Sequence, residues 1–135
     1  MGGELKEPID RLSFAAKLLA DDIPRSERLC DAVVKAHVER LNVPVMVWDT
    51  TLVYLKNASL RTPSPGVFAR NLQLTRLING TLCFGESLCQ DNMQEAKSLN
   101  ARDFTPEGMV TPVPNRVREV AEAYYQGLLA WLADQ

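Results

Sequence analysis

The residues with which this chain could do chemistry are a few acids, three cysteines and one histidine. Asp49 follows the apolar run Val43–Trp48, and an acid at a strand end can hold a divalent ion or act as a nucleophile. A metal-dependent hydrolase or nuclease would need more carboxylates beside it. Glu86, Asp91 and Asp103 are available downstream, but no later strand-and-acid pattern ties them to Asp49. His37 is the only histidine, so the two-histidine helix of a zinc protease is excluded. A Ser-His-Asp triad would have to use His37. Its nearest serine phrase, Gly85-Glu86-Ser87-Leu88-Cys89, lacks the second glycine of a nucleophile elbow.

Cys30, His37, Cys83 and Cys89 are of the types that bind zinc, but their spacing has none of the close pairing of a zinc knuckle. Free cysteines commonly behave as small buried hydrophobes. His37 lies one turn from Val33 and Leu41, at the edge of an apolar stripe, which suits a structural histidine. Asp49 is accounted for most simply as the first residue of a β-turn. No Gly-x-Gly-x-x-Gly or Gly-Lys-Ser/Thr phosphate cradle occurs. No metal, cofactor or catalytic set is therefore assigned, and the sequence leans away from an enzyme.

The elements that would position these groups follow from hydrophobic spacing. Ile9, Leu12, Ala16 and Leu19 predict a helix over about 8–20. A second helix is expected from Ser26, as N-cap, to Leu41, with Asn42 ending it and Pro44 unable to continue it. Val43–Trp48 and Leu52–Leu55 read as strands joined by Asp49-Thr50. That places Val45, Val47, Leu52 and Tyr54 on one face and Met46, Trp48, Val53 and Leu55 on the other. A hairpin apolar on both faces needs cover on both sides. Pro63-Ser64-Pro65-Gly66 marks a loop, and 67–71 reads as a single helical turn. Asn79-Gly80 between apolar flanks predicts a type I′ hairpin with strands over about 72–78 and 81–84. Cys89, Met93 and Ala96 suggest a short helix ending near Asn100, and the Pro-rich stretch 103–114 an irregular crossing. Asn115 should cap the last helix, where Val117, Ala121, Tyr124, Leu128 and Trp131 recur at helical spacing. Gly127 within it costs about 1 kcal/mol relative to alanine, a cost that a close backbone approach would explain. The expected architecture is one α+β domain over 1–135, order ααββββαα, with a four-stranded, mainly antiparallel sheet of two hairpins flanked by helices.

Four resemblances bear on function. Val47-Trp48-Asp49-Thr50-Thr51-Leu52 resembles the first motif of haloacid-dehalogenase-type phosphatases, with Thr51 in place of their second aspartate. It is also similar to the Asp-Thr-Asn opening of PIN-type nucleases, with Thr51 in the last position; both imply chemistry at Asp49. Leu74-Thr75-Arg76-Leu77-Ile78-Asn79-Gly80 is similar to the phrase that often ends the reading helix of helix-turn-helix repressors, which implies Arg70 and Arg76 on DNA. Leu29–Arg61 resembles the opening of GAF or PAS sensor domains, and the closing helix is similar to the one that often ends GAF domains. This implies a sensor-like architecture but carries over no ligand-binding residue.

Bulk properties narrow the choice. The 135 residues are 46% hydrophobic and 24% charged with net charge −2, the profile of an ordinary globular protein without a field for nucleic acid or acidic membranes. No apolar run approaches the roughly 20 residues that span a bilayer, and the first eight residues lack a secretion signal's apolar core. Three cysteines cannot all pair within one chain, which suits a reducing compartment, so the expected location is cytoplasmic. The expected function is a small non-enzymatic, sensor-domain-like binding module for a small apolar ligand or a partner protein. Met46, Trp48, Tyr54, Tyr124 and Trp131 should line its pocket or interface, and the last helix should support a homodimer. The alternatives are a divalent-metal hydrolase or nuclease at Asp49 and a DNA-binding regulator.

Overall fold

The computed structural model describes residues 8–20, 22–88 and 92–135. Its elements are α1 (Pro8–Leu18), α2 (Asp22–Leu41), α3 (Val53–Ala58), β1 (Ser59–Arg61), β2 (Phe68–Arg70), α4 (Gln73–Leu77), α5 (Met93–Leu99) and α6 (Asn115–Ala133). The expected four-stranded sheet is not formed. Among the described residues there is one two-stranded antiparallel sheet amid six helices.

Two local causes account for the difference. Val43–Trp48 enters no ladder, and Leu52–Leu55 leads into α3, so Leu55 is buried from a helix. Asn79-Gly80 does not make a type I′ turn, which needs positive φ at both central residues. Gly80 has φ +130°, but Asn42 is the only non-glycine with positive φ among the described residues. The preceding residues form α4, and 81–87 runs as an unpaired strap. The sheet comes instead from the segment expected to be a helical turn: Ser59 pairs with Arg70, Leu60 with Ala69 and Arg61 with Phe68. The intervening turn uses Gly66 at φ +78°, where an added Cβ would lie 2.5 Å from Val45 Cγ1.

The helices follow the sequence more closely. α1 matches its expected span, and α2 ends at Asn42, whose left-handed φ of 51° closes the last turn while its N–H donates to Val38 O at 3.1 Å. α2 begins a turn earlier than expected, because Pro24 falls in the first turn, where a missing N–H costs nothing. Ser26 is therefore not its cap; its hydroxyl accepts the Leu82 N–H of the strap at 2.9 Å. α5 begins at Met93 with Asn92 as cap, while the expected contribution of Cys89 lies outside the described residues. Asp103, not the Asn115 side chain, caps α6, accepting the Asn115 N–H at 2.7 Å across the irregular crossing.

The core is built on α2 and α6, which pack antiparallel over most of their length. Val33, Ala36 and Leu41 of α2 and Ala123 of α6 are buried. Gly127 sets the closeness of the pair: a Cβ there would lie 2.6 Å from Val33 Cα and 3.1 Å from Ala32 O. At the far end Arg116 holds Glu95 through two bonds of 2.6 and 2.9 Å, pairs with Glu119 at 3.1 Å and reaches Leu41 O at 3.4 Å. Among the described residues no helix is long and apolar enough to cross a membrane.

Because the obstruction at Gly127 is backbone, relief requires the helices to separate. Gly127→Ala is expected to destabilise the protein by about 2 kcal/mol despite alanine's better helix propensity. The check is chemical denaturation. An unchanged or raised midpoint would show that α2 and α6 are not packed this closely.

Candidate functional site

The strap and the hairpin both lie over α2, and between them they leave a cavity of about 220 Å³. Its floor is α2, through Val33 and Val34. Its walls are the hairpin around Val67–Ala69 and the strap around Leu82–Phe84, and Met46 stands at its mouth. Met46 and Phe84 are exposed, whereas Val33 and Val67 are buried, so the cavity runs from solvent to the core. Polar groups fix its walls. Ser64 donates to Glu27 Oε1 from its N–H at 3.2 Å and from its hydroxyl at 2.9 Å, pinning the hairpin turn to α2. Arg70 pairs with Glu86 at 2.9 Å, joining the hairpin to the strap. Lys17 donates to Ile78 O at 2.8 Å and closes the α1 side.

Two thiols lie on the same lining, Cys30 from α2 and Cys83 from the strap. The Cys30 thiol donates to Leu82 O at 3.9 Å, which places it beside Cys83. The neighbouring Cys30 side chain holds the Cys83 thiol below its usual value. Cys30 is pushed far up by that same contact and then by burial. Nothing in a separation of 53 positions signals this pair, and neither residue belonged to the expected binding set.

On the other side of the strap a hydrogen-bonded chain links three elements. His37 is buried, and its Nδ1 lies 2.8 Å from Val33 O; an N–H there donates to the carbonyl and leaves Nε2 to accept from Ser87 Oγ at 3.2 Å. Ser87 Oγ is 2.7 Å from Tyr124 OH, and the Tyr124 ring meets His37 edge-on at 4.5 Å between centroids. The pattern has the Ser–His half of a nucleophilic site. Its orienting group, however, is a backbone carbonyl, which offers an imidazolium no countercharge, and Tyr124 takes up the serine oxygen. The chain thus fastens the strap to α2 and α6. Ser87 also borders an open cleft of about 540 Å³ against Leu99, Val117 and Val120.

The acids proposed for metal chemistry are separately engaged. Asp49 Oδ1 accepts from Thr51 Oγ1 at 2.7 Å and from its N–H at 2.8 Å, closing an exposed turn. Glu86 pairs with Arg70, and Asp103 caps α6. Asp91 lies outside the described residues, among which no group of three or more His, Cys, Asp or Glu could hold a metal ion. Arg70 and Arg76, the residues a DNA-reading segment would use, pair with Glu86 and Asp10, the latter at 3.4 Å.

The five expected binding residues do not converge. Met46 borders the cavity, and Trp48 does not line it but meets Phe68 of its wall at 5.4 Å between ring centroids. Tyr124 belongs to the Ser87–His37 chain, and Trp131 is half-buried towards the end of α6. The side chain of Tyr54 lies outside the described residues. The residues missed were those of α2, read as the apolar side of a helix, and of the hairpin, whose second strand was read as a single helical turn.

The Asp49 turn gives a pH prediction. The Thr51 hydroxyl, then its N–H, hold the Asp49 carboxyl below the usual range. A depressed carboxyl stabilises the fold at neutral pH and loses that contribution as pH falls through its lowered value. In Thr51→Val the Asp49 carboxyl should titrate at higher pH than in the parent, followed by carbon-detected NMR; identical titrations would refute the hydroxyl's role. The chain matches no protein-family model, no curated protein and no solved structure.

Proposed function

We propose that this protein is a small-molecule-binding module that holds a compact, mainly apolar ligand in the cavity between α2, the β1–β2 hairpin and the strap. The observation carrying this reading is the cavity itself. At about 220 Å³ it is larger than the roughly 150 Å³ that accepts benzene and smaller than most drug-sized sites. It suits a ligand of roughly ten non-hydrogen atoms, with the apolar part against Val33 and Val67. Glu27, Arg70 and Glu86 on the lining are already engaged with protein partners, so they offer a polar rim more than a charged anchor. Cysteine usage supports a reducing, cytoplasmic setting.

Small aromatic fragments such as indole should bind saturably and shift the NMR signals of Val33, Val67 and Phe84. Val34→Trp, which fills the floor, should weaken that binding at least tenfold while leaving the fold intact. The absence of any saturable fragment, or undiminished binding by Val34→Trp, would overturn the reading.

A second copy of the chain is the partner that α6 favours. Val117, Ala121, Tyr125, Leu128 and Leu132 lie within one narrow sector of this helix, and all are exposed. The neighbouring Arg118 pairs with Glu122 at 3.3 Å and Arg116 with Glu95 and Glu119, so the rim carries little net charge. A stripe that must meet itself across a two-fold axis benefits from that neutrality. Five half-exposed side chains fall short of the roughly 800 Å² per partner of a stable interface, so the dimer should be weak. Light scattering should show mass rising with concentration, an effect abolished by Leu128→Glu. A constant monomer up to millimolar protein would refute it.

A further inference from the structure

We propose that Cys30 and Cys83 are a reversible dithiol–disulfide pair, oxidised by a low-molecular-weight disulfide such as oxidised glutathione, that locks the strap onto α2. The register is prepared by backbone contacts. Ser26 and Cys30 lie one turn apart on the same face of α2. The Ser26 hydroxyl accepts the Leu82 N–H at 2.9 Å, and the Cys30 thiol reaches the Leu82 carbonyl at 3.9 Å, so the residue following Leu82 is brought to Cys30. The Arg70–Glu86 and Tyr124–Ser87 contacts hold the strap beyond it. Both cysteines are half-buried, not sealed, so the disulfide of an incoming oxidant can reach a sulfur without the whole molecule entering the cavity.

The two thiols have different roles. Cys83 lies on the strap beside exposed Phe84, where an incoming disulfide meets it first, and a thiolate is the attacking species. The Cys83 thiolate attacks one sulfur of the glutathione disulfide. A bond forms between Cys83 and that glutathione, and the other glutathione leaves as a thiolate that takes up the proton Cys83 lost. Cys30 then gives up its proton, attacks the Cys83 sulfur and expels the second glutathione as a thiol. In sum, two protein thiols are oxidised to one disulfide and one glutathione disulfide is reduced to two thiols. The step does not depend on a ligand occupying the cavity, although the bond would tighten its wall.

The test uses the full chain carrying Cys89→Ser, since Cys83 and Cys89 share one tryptic peptide and Cys30 lies in another. After equilibration with oxidised glutathione and alkylation, the intact mass should fall by two hydrogens with no alkyl group added. The two tryptic peptides should then be joined, and Tm should rise by several degrees, since the bond closes a long loop. Reduction with dithiothreitol should reverse all three changes. Two alkylated thiols, or stable glutathione adducts without the crosslink, would overturn the pair. In that background Cys30→Ser should retain glutathione on Cys83, while Cys83→Ser should take up glutathione on Cys30 at least tenfold more slowly. The opposite order would overturn the assigned roles.

Discussion

The close approach of α2 and α6 at Gly127 is the constraint on which the rest of the molecule depends. With no side chain at that position, the α6 backbone comes within reach of Val33 and Ala32. The two helices then meet along a long seam, with His37 against Tyr124 and the Arg40–Glu122 ion pair further along. This seam gives a chain with few fully buried residues a rigid axis. The hairpin, the strap and α5 are attached to that axis by polar contacts more than by a deep core of their own.

That economy explains where the cavity lies. A continuous sheet would have covered α2 with interlocking side chains. Here a three-residue-per-strand hairpin and an unpaired strap cover it instead, and short elements held at their ends by Glu27, Ser26 and Glu86 cannot fill the space between them. The pinning bonds keep the walls apart as well as in place. One strap thus serves three purposes: cavity wall, carrier of Cys83 and, through Ser87, a link to both long helices.

Much of the polar chemistry that looked available in the sequence is spent on architecture. Asp49 closes its own turn, Asp103 caps α6 from twelve residues away, and His37 joins a backbone carbonyl to Ser87. The sole histidine was legible as a structural residue from its place beside Val33 and Leu41. Its partners were not, because they come from the strap and from α6. Of the expected binding residues, Met46 reaches the cavity directly, as an exposed side chain on its lining.

What the sequence by itself determined is what depends on residues a few positions apart. The span of α1, the end of α2 at Asn42, the existence of α6 and the tight approach at Gly127 were all readable, because helical hydrogen bonds close within four residues and caps within one turn. The strands were not readable in the same way. A valine-rich run such as Val43–Trp48 has the propensity to pair, but a ladder needs a partner at the right distance and register, and α3 and α4 took the segments that would have supplied it. The Cys30–Cys83 contact and the cavity are of the same kind. They arise from where the strap crosses α2, and only the tertiary structure decides where segments 50 residues apart in sequence meet.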